Sequence, residues 1–407
     1  MLALGEARTI RTGKDYVENV AMDQRSHDAW DRTAMDPRQQ WVLERTLEYR
    51  RRGPYRARTS DEIADMLRRY FDHLDYRDAK ITNVRRMSGG ASKEQFLFDI
   101  AHAEKPEGER LVLRMDPPEG ISQSCRGREA QLQNAMIGTL PVAPIRHVDA
   151  EAEFLDQAGS ILEFVTGVTE PTASDTKGVS GMGTRFGDIS ERLKPQFVDA
   201  FVKTHGLDWS QKDLSLFAKP REGTTDASLW ELNFWAGLYW NAIVEPLPIV
   251  TLCERWLREN LPVCDKVGIV HGDLRIGNFM FEEPSGQFTA VLDWELGHLG
   301  DYHEDIAWTI QRLFGYLDEN GQFLVSGFLT REDFLEQYQR LSGNVIDPVK
   351  LRWYEVLNAY KCAVMDLGQA MRVAEGHTNH QENVMTWLGS AGAVFINQIS
   401  LMLREDL

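Results

Sequence analysis

Cysteine is scarce in this sequence: four residues, Cys125, Cys253, Cys264 and Cys362, in a chain of 407. None forms a CxxC pair and no histidine lies at zinc-finger spacing, so a disulfide framework and a structural zinc site are both excluded. The expectation is four buried, reduced thiols and a reducing cytoplasm. Long apolar runs are missing as well. The opening MLALGEARTIRTGKD has too short an apolar stretch for a signal peptide, and Val394 to Leu403 is too short and interrupted to span a bilayer, so no membrane partner is expected. Basic charge is also short: 45 Lys and Arg stand against 62 Asp and Glu, a formal net charge of -17. A phosphate backbone is held mainly by clustered cations, so a nucleic-acid partner is excluded, while a cationic or metal-bridged ligand fits. Pro and Gly are too few for a disordered chain, and no internal repeat or low-complexity segment is present.

What remains is a folded chain longer than one core usually supports. Residues 1–75 read as a polar, helical N-terminal extension, with a helix from about Pro37 to Arg52 that stops before Gly53-Pro54. Its Arg50-Arg51-Arg52 reads as a solvated face. From about Thr82, short apolar runs bounded by turns (Phe96 to Ile100, Leu111 to Leu113, Ile161 to Val165) predict a small antiparallel sheet. Ala130, Leu132, Met136 and Ile137 have the spacing of one helix laid on it. Beyond Gly167 the periodicity is helical, as in Leu193, Phe197, Val198, Phe201 and Val202. Later, Thr330 to Asp333 reads as a capping box, and Asp347-Pro348 opens a long helix that Gly376 would close. The fold class is therefore α+β, with a small antiparallel-sheet lobe at 76–167 and a larger, mostly helical lobe at 168–407.

Three apolar runs interrupt the helices, Gly268 to Val270, Phe279 to Phe281 and Phe288 to Leu292, and they bracket His271-Gly-Asp273-Leu-Arg275-Ile-Gly-Asn278 and Asp293-Trp-Glu295. Polar residues at strand ends beside turns are where sites usually sit. Phosphoryl transfer needs this set: a carboxylate to orient a hydroxyl and accept its proton, and an amide and a second carboxylate to hold magnesium. Asp273 is the expected base. Asn278 and Asp293, brought together by a hairpin, are the expected Mg2+ ligands. No G-x-x-x-x-G-K-[ST] is present, and Gly181-Met-Gly183 does not follow a strand, so neither a P-loop nor a dinucleotide fingerprint is read. His377 and His380 read as cap residues, Trp230, Trp235 and Trp240 as core, and His298 and His303 as satisfied histidines near helix starts.

HGDLRIGN and LDWELGHLGD resemble the signatures of the aminoglycoside phosphotransferase family, which also resembles choline kinase and, more distantly, protein kinases. Trp256-Leu-Arg-Glu-Asn260-Leu-Pro262, Leu207-Asp208 after His205, and Asp301 with Asp305 extend the resemblance over about residues 80–400. It implies a two-lobed protein-kinase-like fold using ATP and Mg2+. Gly89, Gly90 and Ser92 would form the loop over the ATP phosphates. Arg114 stands where protein kinases carry Lys, with Glu129 as its ion-pair partner, and its fork suits two phosphate oxygens. Glu163 and Val165 fall at the hinge, where backbone groups would bind adenine. Asp366 and Glu375 lie on helices that wall the acceptor pocket in that family.

The implied partner is a small-molecule hydroxyl acceptor. Leu113 to Gly120 resembles the branch related to kinase domains fused to acyl-CoA dehydrogenases, which implies a hydroxyacyl thioester. An aminoglycoside, macrolide or choline-type acceptor stays open, as does a nucleotide-binding pseudokinase or scaffold, or a hydrolase using Asp273 and His271 on water. Nothing in the sequence sets the oligomeric state.

Overall fold

Alternating burial builds the first lobe. In β2 (Glu94–His102) Phe96, Phe98 and Ile100 point to one face, and in the antiparallel β3 (Lys105–Met115) Leu111, Leu113 and Met115 join them. Strands β1 (Lys80–Arg86), β4 (Ile145–Asp149) and β5 (Gly159–Glu163) complete a five-stranded antiparallel sheet in the order β1-β2-β3-β5-β4. This is a computed structural model, and it describes residues 31–49, 56–87, 92–117, 124–174, 182–243, 245–374 and 382–405.

Each face of the sheet carries one helix. Helix α2 (Ser60–His73) begins at a reciprocal cap, where the Thr59 hydroxyl accepts from the Glu62 amide and the Glu62 carboxylate from the Thr59 amide. It lays Ile63, Met66, Leu67, Tyr70 and Phe71 on the Phe96–Phe98–Ile100 face. Each such side chain contributes about 2 kcal/mol when fully buried. Residues 60–73, counted with the extension in the sequence, thus share a core with the sheet. On the opposite face lies α3 (Arg126–Ala135), through Ala130 against Ile145 and Leu162.

The larger lobe is helical: α4 (Ser190–Gly206), α5 (Asp226–Ala242), α6 (Pro248–Glu259), α7 (His303–Thr309), α8 (Arg331–Ser342), α9 (Pro348–Ala374) and α10 (Glu382–Glu405). One continuous core joins them, with Phe197, Trp235, Tyr239, Tyr354 and Tyr360 at its centre. Helix α1 (Pro37–Tyr49) also belongs here, through Val42 and Leu43. Short ribbons interrupt the helices: β6 (Gly268–Val270) pairs with β9 (His298–Gly300), β7 (Phe279–Glu282) with β8 (Gln287–Val291), and β10 (Tyr316–Leu317) with β11 (Phe323–Leu324).

The α+β, two-lobed architecture is the one the sequence implied, and the ribbons around residues 268–300 fall where the apolar runs placed them. Strands β1 and β4 were not read from the sequence. Both are edge or near-edge strands with polar sequences, KITNVRR and IRHVD, and both carry a register irregularity that breaks the period-two signal. Thr330 does cap α8, accepting from the Asp333 amide at 3.0 Å. Gly376, Glu375, His377 and His380 lie outside the described residues, as do Arg50 to Arg52.

Candidate active site

The two ribbons hold one loop between them. From β6 the chain turns through His271, Gly272 and Asp273, makes one 3-10 turn to Asn278, and enters the β7–β8 hairpin, which returns it to Asp293. The Leu292 amide donates to the Asn278 carbonyl at 2.8 Å, and His271 Nε2 donates to the Leu292 carbonyl at 2.8 Å. Asp293 is thereby tied to both ends of the loop. Its own backbone is left-handed, φ 62° and ψ 52°, an unusual conformation for a residue with a Cβ.

Asp273 is held by three side chains. Trp308 Nε1 and Arg275 Nε donate to its Oδ1, at 2.6 and 2.9 Å, and Asn278 Nδ2 donates to its Oδ2 at 2.7 Å. Asn278 Nδ2 also reaches the Asp273 carbonyl at 2.8 Å. With its nitrogen committed to Asp273, Asn278 has its amide oxygen left to offer. His271 Nδ1 accepts from the Asp273 amide at 3.2 Å, so both ring nitrogens brace the loop.

Beneath the loop sits Asp305, fully buried, whose two oxygens accept from the His271 and Gly272 amides at 2.8 Å each. His205 Nε2 lies 3.1 Å from it and is positioned in turn by Tyr338. Burial alone would raise the Asp305 pKa, but the bond from His205 and the fields of His205 and His271 outweigh it and hold the carboxyl below its ordinary value.

Facing Asp293 is a buried charge cluster from the smaller lobe. Arg114, on β3, donates through Nη1 to Glu129 of α3 at 2.9 Å and through Nη2 to Asp293 Oδ1. Arg126 pairs with Asp116 at 3.1 Å, with Glu295 at 3.3 Å and with Glu129. Lys93 pairs with Asp116 and Glu295, both at 3.1 Å. Burial would push Glu295 up, yet Lys93, Arg114 and Arg126 overcome it and hold the carboxyl at about 2. Such a cluster is set by geometry rather than by net stabilisation, because removing one partner strands the others in low dielectric.

The sequence had grouped Asp273, Asn278 and Asp293, and the structure places them on one loop and its return. It brings Arg114 to both Glu129 and Asp293. Ser92 bonds Glu295 at the rim of the charge cluster. Gly89 and Gly90 lie outside the described residues. Glu163 ends β5, its side chain paired with Arg146 at 3.0 Å, and Val165 packs against the Ala130–Ile145–Leu162 cluster on the α3 face. Just beyond, Val168 exchanges two 2.9 Å backbone bonds with Phe281, which fastens the connection between lobes to the β7–β8 hairpin.

Sequence reading missed Trp308, Lys93, Arg126 and Asp116. Trp308 gave no signal beyond helix periodicity, and lone basic residues after a glycine-rich turn read as surface. His298 and His303 are satisfied: His303 between Asp301 and the Asp347 amide, His298 between the Leu296 carbonyl and Glu304.

The residues fit a hard divalent cation. The Asn278 amide oxygen and Asp293 Oδ2 are oxygen donors not consumed by the bonds above, as Mg2+ prefers. A second group with ligand spacing, Glu231, His298 and Glu304, does not fit a metal, because the Lys361 ammonium already lies 3.1 Å from Glu231 and 2.6 Å from Glu304.

Comparison with known proteins gives the family of the chain and its fold. Residues 83–354 match the family described as "Phosphotransferase enzyme family". The Arabidopsis thaliana protein named probable acyl-CoA dehydrogenase IBR3 is 24% identical over 346 residues, which cover 80% of this chain and 40% of that one. The chain therefore spans well under half of that relative's length. A Ralstonia eutropha protein assigned to the aminoglycoside phosphotransferases superposes with a TM-score of 0.61 at 20% identity, over 84% of this chain and 98% of that one. Choline kinase from Cryptosporidium parvum gives 0.51 at 11% identity, over 79% and 89%. At these identities the two structures speak to the fold, which is kinase-like. Among the described residues, no helix is long and apolar enough to cross a membrane.

Proposed function

Because the chain belongs to the phosphotransferase enzyme family, we propose that it transfers the γ-phosphate of ATP to a hydroxyl of a small-molecule acceptor, in a reducing cytoplasm. The observation that carries this reading is the fixing of Asp273: three donors lock its carboxylate on a loop whose return brings Asp293 and Arg114 alongside. Trp308 and Arg275 engage Oδ1, so Oδ2, with one donor, is the oxygen presented to an acceptor hydroxyl. It orients that hydroxyl in line and takes its proton as the O–P bond forms and the bond to the leaving ADP oxygen breaks.

Asn278 and Asp293 would hold Mg2+, which when bound supplies charge neutralisation on the phosphate oxygens. Arg114, anchored through Nη1 to Glu129 and turned through Nη2 toward Asp293, would bring its positive charge beside the nucleotide phosphates. Gly89, Gly90 and Ser92 would approach them with backbone and hydroxyl donors, and the backbone at Glu163 and Val165 would meet adenine. Catalysis then rests on placement and fixed charge, with no covalent intermediate on the protein.

For the acceptor, similarity to an acyl-CoA dehydrogenase relative supports a hydroxyacyl-CoA. The acidic net charge of -17 favours a second reading, a cationic acceptor of the aminoglycoside or choline type. The deciding experiment measures acceptor-dependent ADP release from Mg-ATP across hydroxyacyl-CoAs, aminoglycosides, macrolides and hydroxylated amines. One class should support turnover, and Asp273→Asn should lower kcat by about 10²- to 10⁴-fold with nucleotide affinity retained. A variant that turns over like the wild type would remove Asp273 from the mechanism, and turnover without nucleotide would replace the kinase by a hydrolase.

A further inference from the structure

Helix α3 carries Glu129, the anchor of Arg114, yet little in its own sequence fixes where it lies. Its N-cap, Cys125, makes no side-chain cap bond, and the helix has only 10 residues. Isolated helices of that length are marginal, so tertiary contacts decide its position. One of them comes from outside the smaller lobe. Arg128, next to Glu129, is buried, lies over the Phe217 ring at 4.2 Å, and has its closest carboxylate in Asp36, at 3.6 Å, just ahead of α1.

Asp36 is itself a hub. It is 3% exposed, its Oδ1 accepts from the Arg38 amide at 2.7 Å, and its Oδ2 accepts from the Ala218 amide at 2.9 Å. The segment around it is nailed to the helical lobe. Asn233 Nδ2 donates to the carbonyls of Asp31 and Ala34, at 3.1 and 2.7 Å, and Gln39 donates to Glu231 at 3.1 Å. Leu43 fills the hollow over Gly237, where a Cβ would stand 2.6 Å from its Cδ1. At its far end Arg45 reaches back to the Ala150 carbonyl, after β4, at 2.7 Å. Residues 31–49 thus cross from one lobe to the other. Between this crossing and α3 a cavity of about 30 Å³ remains, lined by Gln39, Val42, Arg128, Glu231 and Glu295 among others. On that side the Asp36–Arg128 contact is one of the attachments of α3 to the larger lobe, beside the bonds from Gln131 to Asp213 and Ser215 at 3.1 and 2.8 Å and the packing of Gly127 on Leu216.

We propose that residues 31–49 form a strap in which Asp36, acting through Arg128, is a positioning residue for α3, so that the N-terminal segment sets nucleotide affinity through Glu129 and Arg114. This rests on the reading of Arg114 as a phosphate ligand. Loss of the Asp36 charge leaves Arg128 a buried cation with no carboxylate at ion-pair distance among the described residues, Glu231 across the cavity acting on it only from farther off. The first turn of α3 must then shift toward solvent, carrying Glu129 with it.

The test is a calorimetric titration of the full chain with Mg-ATP, with KM for ATP and for the acceptor measured in parallel. Asp36→Asn keeps the shape and removes the charge, and it also gives up one of the two backbone-amide bonds, because the asparagine NH2 cannot accept from an N–H. It should weaken Mg-ATP binding and raise KM for ATP by about tenfold, leaving the acceptor KM unchanged. Arg128→Gln should match it, and the double variant should be no worse than either single one, because both break one contact. Leu403→Ala, in α10 and outside the strap and the charge cluster, supplies a control that lowers melting temperature alone. Unchanged nucleotide affinity in folded Asp36→Asn would overturn the strap, as would an affinity loss equalled by Leu403→Ala at the same melting temperature, or additive effects in the double variant. If the wild-type chain binds no Mg-ATP, the kinase reading itself has failed, an outcome separate from any of these.

Discussion

A few side chains in this molecule carry charge where water cannot reach, and each has a different solution. Asp305 is paid for by two loop amides and His205. Arg114 divides its fork between Glu129 and Asp293, so the proposed phosphate ligand and one proposed metal ligand hold each other. Asp366, on α9 one turn beyond Cys362, has the opposite situation: it is 6% exposed and its Oδ2 has no hydrogen-bond partner. Burial alone raises its pKa to about 7. A carboxyl whose folded pKa exceeds its unfolded value binds its proton more tightly when folded, so it penalises stability increasingly as pH rises from 3.8 through about 7. Asp366→Asn should therefore match the wild type near pH 4 and exceed it at pH 8, by at most about 4 kcal/mol. Urea denaturation at the two pH values checks this; equal stabilities at pH 8 would place Asp366 in contact with a counter-charge.

At the scale of elements, the segment 268–300 is a pair of ribbons whose turns must interlock. Gly272 shows this most directly. Its φ is +82°, and a Cβ there would lie 2.7 Å from the Leu296 carbonyl oxygen, on the turn that follows Asp293. Gly272→Ala should leave the helical content unchanged by circular dichroism while lowering kcat by about tenfold or more, since small displacements of placed groups are costly in a site that works by orientation. Full activity would mean that the two turns need no such close approach. The sequence carried warning of this element, because three apolar runs with polar residues at their ends have few other uses. It gave none of Trp308 or of the Lys93–Arg126–Asp116 network, whose members are separated along the chain and share no period.

Across the whole molecule, a second buried cluster joins α1, α5, β9, α7 and α9. Lys361 bridges Glu231 and Glu304, His298 bonds Glu304 at 3.2 Å, and Gln39 reaches Glu231 from the strap. Burial would lower the His298 pKa, but Glu231 and Glu304 outweigh it and raise it to about 9. A histidine raised in the folded state stabilises fully below its unfolded value of 6.5, and that contribution is lost as pH rises through about 9. It is on the order of 3 kcal/mol. Melting temperatures followed from pH 6 to pH 10 should fall for the wild type more steeply than for His298→Asn, whose curve lacks this component. Parallel curves would show that His298 is neutral in the fold.

The sequence by itself determined the two-lobed α+β plan and the grouping of polar residues near Asp273 on which the proposed chemistry rests, because these depend on local periodicity, turn chemistry and spacing within one short segment. It also determined that Asp293 returns to Asn278, since a hairpin between two apolar runs leaves the chain little choice. The tertiary structure alone decided which groups hold those residues in place: Trp308 on Asp273, Asp305 beneath the loop, Lys361 within a group that had the spacing of metal ligands, and Asp36 against Arg128. Those pairings join residues tens to hundreds of positions apart, and a buried charge finds its partner only when the lobes have packed. Local sequence carries no record of that choice.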